Sequence, residues 1–160
     1  RNANLAWQMV EAQQQFQIAR SSFLQALSEA RWPARFEKLA DGPLTGGVET
    51  WLDGAHNGDA ARALAAILEQ REPMHVVLGI LANKDAGEIV GPLAPHALSL
   101  TFVPVPDHGH HDPAELARRF GGAAASDVAE ALVGMPAPRL IAGSLYLAGT
   151  VLAANDQVPD

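Results

Sequence analysis

The sequence predicts an α/β fold: a mostly parallel sheet in a three-layer sandwich, preceded by N-terminal helices. Three observations predict it. Short β-favouring runs alternate with helical patterns from Val48 onward. One of these runs, Met74-His75-Val76-Val77-Leu78-Gly79-Ile80-Leu81, is almost continuously apolar, as a central strand covered on both faces must be. The stretch from Asn2 to Arg31 contains neither Gly nor Pro and repeats its apolar residues at helical spacing.

Taken in order, Asn2 to Arg31 suits two helices, split near Ile18 to Ser22. Trp32 to Gly47 changes character, with Pro33, Pro43 and glycines at 42, 46 and 47, so residues 33–47 are expected as a linker with room for one short strand. Val48 to Leu52 reads as a strand, Asn57 to Arg71 as a helix, Met74 to Leu81 as a mid-sheet strand and Asp85 to Leu93 as a helix. Leu98 to Val103 continues the strand series. Pro113 to Phe120 is a short helix, because Asp112 suits its N-cap and Pro113 its first position. A small apolar piece at Gly122 to Ala125, a helix from Ser126, a strand at Arg139 to Ala142 and a helix from Ser144 complete the chain. Strands separated by helices imply parallel pairing with crossovers.

With 160 residues, 48% of them hydrophobic and 18% charged, the chain can bury one core. Its 11 basic residues against 18 acidic ones give a net charge of -7, which disfavours a nucleic-acid backbone or an anionic membrane as partner. The lack of cysteine excludes disulfides, thiolate metal sites and a thiol nucleophile, and is compatible with the cytoplasm. No window reaches the ~18 apolar residues of a membrane span, and no signal pattern opens the chain. The chain starts at Arg1 directly inside a helical pattern and reads as part of something longer.

Residues able to do chemistry collect where strands hand over to helices. Trp51-Leu52-Asp53-Gly54-Ala55-His56-Asn57 sets polar side chains at the C-terminal end of a strand, the edge where open α/β sheets bind ligands. Asp53 can accept from a ribose, Gly54 admits a ligand close to the backbone, and His56 can donate to a carboxylate or phosphate beside the free N–H groups of the next helix. On the residues alone, a turn and helix merely capped by Asp53 and Asn57 is an equal reading. Arg35, in Arg31-Trp32-Pro33-Ala34-Arg35-Phe36-Glu37, offers a planar fork to phosphate oxygens, against the commoner surface ion pair with Glu37 or Asp41.

Lys84, one of two lysines in the chain, and Asp85 follow the Met74–Leu81 run at the same edge. Lys84 can meet an anion while Asp85 caps the next helix. Ile141-Ala142-Gly143-Ser144-Leu145-Tyr146 repeats the junction, with Ser144 as an N-cap that can also hold a carboxylate and Tyr146 beside it. Ser144 has no G-x-S-x-G frame and is not read as a hydrolase nucleophile. Asp107-His108-Gly109-His110-His111-Asp112 is rich in possible ligands, yet adjacent His110 and His111 cannot easily face one ion, so a solvated loop is expected rather than a metal site. His75 and His96 are expected in packing or on the surface. No lysine follows a glycine, so there is no P-loop, and no G-x-G-x-x-G occurs in this Rossmann-like pattern.

Four segments, Arg31 to Glu37, Leu52 to Asn57, Gly79-Ile80-Leu81-Ala82-Asn83-Lys84-Asp85 and Gly143-Ser144-Leu145-Tyr146-Leu147-Ala148-Gly149, occur in the order and spacing of folylpolyglutamate synthases. The chain therefore resembles the C-terminal domain of folylpolyglutamate synthase/dihydrofolate synthase, in the Mur ligase superfamily. The resemblance implies that residues 1–32 are the helical end of a central ATPase domain, 33–47 a linker and 48–160 the Rossmann-like C-terminal domain. It implies ligation of L-glutamate to dihydropteroate or a folate, through an acyl phosphate formed with ATP and attacked by the glutamate amine. ATP and Mg²⁺ would be held mainly by the N-terminal ATPase domain, so an isolated fragment is expected to lack turnover.

The same resemblance places Asn2, Arg35 and Asp53 at the nucleotide. It places His56, Asn57 and Ser144 at glutamate or the acyl phosphate, with His56 catalytic, and marks Lys84, Asp85 and Tyr146 as further candidates. No metal ligand is implied, and the family expectation is a cytoplasmic monomer. Ala34 stands where a glycine is common in the family, Gly58 where a proline is common and Asn83 where an aspartate is common. Two other readings stay open: a Mur-type ligase acting on a cell-wall precursor, against which the Asp-Gly-Ala-His-Asn block argues, and a non-catalytic α/β module binding a nucleotide or a protein.

Overall fold

The computed structural model describes residues 2–13, 15–29 and 32–157, and the chain divides into two compact units, Arg1–Trp32 and Pro33–Asp160. The first unit holds α1 (Asn2–Ala12) and α2 (Arg20–Glu29). The helical run breaks where Gln13 folds back on the chain. Its Oε1 accepts from the amides of Gln15 and Phe16, each at 2.8 Å, which a continued helix would have bonded to carbonyls. Trp7 and Phe23 join the two helices, with ring centroids 5.0 Å apart.

The second unit contains β1 (Glu37–Lys38), β2 (Thr50–Leu52), α3 (Gly58–Leu68), β3 (Met74–Leu78), α4 (Ala86–Leu93), β4 (Ala97–Phe102), α5 (Pro113–Phe120), β5 (Ala123–Ala124), α6 (Val128–Leu132), β6 (Arg139–Ala142) and α7 (Leu145–Ala154). They form one six-stranded sheet in the order β1-β2-β6-β3-β4-β5. Every pairing is parallel except that of β1 with β2. The run from Met74 takes the mid-sheet position expected of it, between β6 and β4.

Alternation across the strands assigns the two faces. Val76, Leu78 and Leu140 share a core with Leu64 and Leu68 of α3 and Ile89 and Leu93 of α4. Val77 and Ile141, their neighbours in sequence, instead share a core with Val128 and Leu132 of α6 and Leu147 and Val151 of α7. Two cores on opposite faces of one sheet make the expected three-layer sandwich, each fully buried aliphatic side chain contributing about 2 kcal/mol. Helix starts follow local chemistry: Asn57 Oδ1 accepts from Ala60 N at 2.9 Å and Asp112 Oδ1 from Ala114 N at 2.9 Å.

Residues 33–47 differ from the linker expectation, because they are built into the α/β unit. Glu37 and Lys38 pair with Leu52 and Trp51, and Leu39 and Thr45 are buried. At the end of α7, buried Asn155 accepts on Oδ1 from Leu44 N and Thr45 N, each at 3.1 Å, and donates from Nδ2 to Ala40 O at 3.0 Å. Proline and glycine signal irregular backbone, but such backbone can be packed when a side chain satisfies its polar groups. No helix among the described residues is long and apolar enough to cross a membrane.

Candidate functional site

Parallel strands all point the same way, so the loops after β2, β3, β4 and β6 reach one edge of the sheet. Between them lies an open cavity of about 730 Å³. His56 lines it from the first loop, Asn83 and Lys84 from the second, His108 from the third, and Ser144 and Tyr146 from the fourth. Glycine lets the loops converge. Gly143 has φ +108°, and a Cβ there would stand 2.6 Å from the carbonyl oxygen of Gly79, so no larger residue lets the exits of β6 and β3 pass.

Asp53 stands directly after β2. Its Oδ2 accepts from Phe36 N and its Oδ1 from Ala55 N, both at 2.8 Å. The carboxylate thereby clamps the segment before β1, where Ala34 and Phe36 are left-handed at φ +57° and +46°. Ala34 thus adopts the backbone that glycine favours. Gly54 N donates to Ala34 O at 2.7 Å, and a Cβ on Gly54 would meet Leu145 Cδ2 at 2.3 Å. The close approach that Gly54 permits is therefore made by the protein's own Ala34 and Leu145, which corrects the expectation that a ligand makes it.

Burial pushes the Asp53 carboxyl up, opposed by its two amide bonds and the charge of Arg35. Each carboxylate oxygen retains a second lone pair, so a hydroxyl can still donate to Asp53. Arg35 is exposed next to this turn. Asn2 opens α1 in the other unit; its side chain lies outside the described residues, as does all of Arg31.

His56 is half-buried, with Nδ1 2.9 Å from Gly54 O. A carbonyl only accepts, so this contact assigns the proton to Nδ1 and leaves Nε2 for a ligand. Asn57 spends its oxygen on the α3 cap, and Asp85 Oδ1 caps α4 by accepting from Gly87 N at 2.7 Å and Glu88 N at 3.2 Å. Ser144 is buried and its Oγ accepts from Tyr146 N at 3.1 Å and Leu147 N at 3.4 Å, while its hydroxyl proton takes part in neither bond. Among the described residues no carboxylate lies within 4.0 Å of the Lys84 ammonium.

His108 lines the cavity without having been singled out from the sequence. The segment 107–112 is exposed at 107–109, as a solvated loop should be, yet it is pinned beside residues 80–84 by an antiparallel bridge between Leu81 and His110. Ala82 N donates to Gly109 O at 2.9 Å, His111 N to Ile80 O at 3.0 Å, and His111 Nε2 lies 2.8 Å from Lys84 O. This pairing carries His108 onto Tyr146, with ring centroids 3.7 Å apart and planes 27° from parallel. Histidine density was the only signal in the sequence for such a role. No group of three His, Asp or Glu among the described residues converges on a metal position. His75 is a packing residue, its Nδ1 2.8 Å from Ser99 Oγ on the neighbouring strand.

Comparison with known proteins agrees with this architecture. Residues 34–139 match the family model described as Mur ligase, glutamate ligase domain. The chain is 33% identical over 147 residues to folylpolyglutamate synthase of Lacticaseibacillus casei, covering 87% of this chain and 33% of that protein. The bifunctional folylpolyglutamate synthase/dihydrofolate synthase of Yersinia pestis, complexed with AMPPNP and Mn ion, matches with a TM-score of 0.71 at 25% identity, covering 88% of this chain and 35% of that one. E. coli FolC in complex with ADP matches with a TM-score of 0.77 at 21% identity, covering 97% of this chain and 39% of that one, which shows the shared fold. The chain spans about a third of the length of the curated Lacticaseibacillus relative. Matched by the family model over most of its length and by fold over nearly all of it, the chain belongs to the Mur ligase family and comprises its glutamate ligase domain.

Proposed function

We propose that this chain is the C-terminal domain of an ATP-dependent ligase that joins L-glutamate to dihydropteroate or to folates and their polyglutamate tails. The observation that carries the reading is the cavity at the sheet edge. His56, Lys84 and His108 line it, and no acidic side chain does, which suits a glutamate carboxylate or the oxygens of an acyl phosphate. The similarity to folylpolyglutamate synthases selects this anion chemistry from the others such a cavity could serve.

ATP, when bound, supplies the phosphoryl group that activates the acceptor carboxylate. Arg35 and Asp53 fit the nucleotide: an exposed guanidinium for phosphate oxygens and a carboxylate with lone pairs left for ribose hydroxyls. That the Yersinia pestis relative is complexed with AMPPNP supports a nucleotide as ligand, while the choice of Arg35 and Asp53 rests on their chemistry. No group of three His, Asp or Glu among the described residues could hold a divalent metal, so Mg²⁺ falls to the preceding ATPase domain. His56, Lys84 and the Ser144 hydroxyl hold the anionic end of the substrate. The cationic His56 ring, donating from Nε2, stabilises charge as the glutamate amine forms its C–N bond, the C–O bond to phosphate breaks and phosphate leaves with the proton the amine gives up. We take the enzyme to act in the cytoplasm, with which a chain free of cysteine is compatible, and to act as a monomer.

The test is phosphate release by this chain joined to its N-terminal ATPase domain, with ATP, Mg²⁺, L-glutamate and either dihydropteroate or tetrahydrofolate. Release should depend on glutamate and on a pterin, and His56→Ala should lower it about 100-fold. The 160-residue chain alone should release none. Activity indifferent to both pterins, or unchanged in His56→Ala, overturns the reading.

A further inference from the structure

We propose that His108, seated on Tyr146, is a substrate-positioning residue that completes a carboxylate-binding wall with His56 and Lys84. The carboxylate is one that takes no part in the ligation: a free carboxylate of the incoming glutamate, or the unactivated carboxylate of the glutamate that ends the acceptor's tail. The identity of the glutamate rests on the ligase reading, whereas the carboxylate site itself rests on the geometry of this cavity.

His56 and His108 enter the cavity from different loops, yet each is tethered in the same way. Nδ1 of His56 lies 2.9 Å from Gly54 O, and Nδ1 of His108 lies 2.8 Å from Pro106 O, in each case the carbonyl two residues earlier. Both rings therefore keep their proton on Nδ1. Nε2, which has no partner among the described residues in either ring, accepts when the ring is neutral and donates when it is cationic. Tyr146 holds the plane of His108 by stacking at 3.7 Å, so plane and rotation of an exposed side chain are both set before a ligand arrives. Less side-chain freedom then remains to be lost on binding.

With both rings cationic, Lys84 adds the third donor. His111, bonded to the Lys84 carbonyl, fixes its loop to the same segment that delivers His108, so the two basic groups are presented by one paired unit. The rest of the lining distinguishes a carboxylate ligand from inorganic phosphate. Leu81, Leu145 and the Tyr146 ring provide apolar surface beside the three basic groups. A short aliphatic chain ending in a carboxylate uses both parts of that wall, while phosphate uses only one.

The experiment follows the histidine side-chain ¹H–¹⁵N correlations of the 160-residue chain during titration with L-glutamate, glutarate, L-glutamine and inorganic phosphate. L-Glutamate and glutarate should shift both His56 and His108 Nε2, with phosphate far weaker. L-Glutamine, which keeps only its α-carboxylate, should match L-glutamate if the wall takes that carboxylate and fall well below it if the wall takes the side-chain one. His108→Ala should weaken glutarate binding about tenfold, and His108→Gln, which keeps a donor, by less. The proposal is overturned if His108 fails to shift, if His108→Ala leaves the affinity unchanged, or if phosphate binds as well as glutarate.

In the enzyme joined to its ATPase domain, His108→Ala should raise one KM about tenfold, more than it lowers kcat, and leave the KM for ATP unchanged. A rise in the KM for L-glutamate assigns the wall to the incoming amino acid; a rise in the KM for the pterin acceptor assigns it to the tail. Glutarate binding through His108 in an enzyme without glutamate-dependent turnover would sink the ligase reading and leave this site standing. Unaltered ligase kinetics in His108→Ala would sink the site and leave the ligase reading standing.

Discussion

Asp53 and Lys84 both follow parallel strands at one edge of one sheet, yet their surroundings treat them in opposite ways. Both oxygens of Asp53 accept backbone amides, and the turn behind it is closed by Gly54 against Ala34 and Leu145. The Lys84 ammonium has no carboxylate near it among the described residues, and neighbouring His56 and His108 each tie down only one ring nitrogen. Asp53 is completed by the fold, whereas Lys84 and the Nε2 atoms of the two histidines are left for a ligand to use. A charge with internal partners supports architecture first, and a charge without them is available for recognition, so stability and binding should separate under mutation.

The largest break is at the floor the two loops share. Gly143→Ala forces a Cβ to within 2.6 Å of the Gly79 carbonyl at φ +108°, and should cost about 3 kcal/mol or more, read as a fall in the urea midpoint. A midpoint within error of wild type would show that the exits of β3 and β6 can part freely. Next comes Asp53→Ala, which strips the acceptor from Phe36 N and Ala55 N and should cost about 1–3 kcal/mol by the same measurement. If it proves neutral, the clamp on the left-handed segment is unnecessary and the contrast with Lys84 fails.

A smaller effect concerns pH. Because the folded Asp53 carboxyl titrates above its ordinary 3.8, the folded protein still holds a proton that the unfolded chain has released in that window. The stability Asp53 contributes by this route is fully present below 3.8 and is lost as pH rises through the raised value. Wild type should therefore lose stability relative to Asp53→Asn across the window, with a constant difference above it; a difference that stays flat throughout contradicts the assignment. The smallest expected change is that of Lys84→Met, within about 0.5 kcal/mol of wild type in urea while glutarate affinity falls. A large stability loss there would place Lys84 with Asp53 rather than opposite it.

The junctions that build the site were legible because their chemistry is local. Asn57, Asp85, Asp112 and Ser144 each bond an amide two or three residues ahead, so a short window of sequence contains both partners. Period and composition likewise determined the element order, and a continuous apolar run marked β3 as a strand covered on both faces. The sequence thus determined, by itself, which residues start helices, that β3 is central, and that His56, Lys84 and Ser144 stand at the C-terminal ends of strands.

Only the tertiary structure decided that β6 inserts between β2 and β3, which carries Ser144 and Tyr146 in between the loops of His56 and Lys84. It alone packed residues 33–47 through Asn155, turned Asp53 inward onto Phe36, and laid His108 on Tyr146. These contacts join residues 17 to 115 positions apart, as Phe36 to Asp53 and Ala40 to Asn155 do. No local preference specifies such pairs. They follow from burying two faces of one twisted sheet at once, which is a property of the whole unit and not of any window in its sequence.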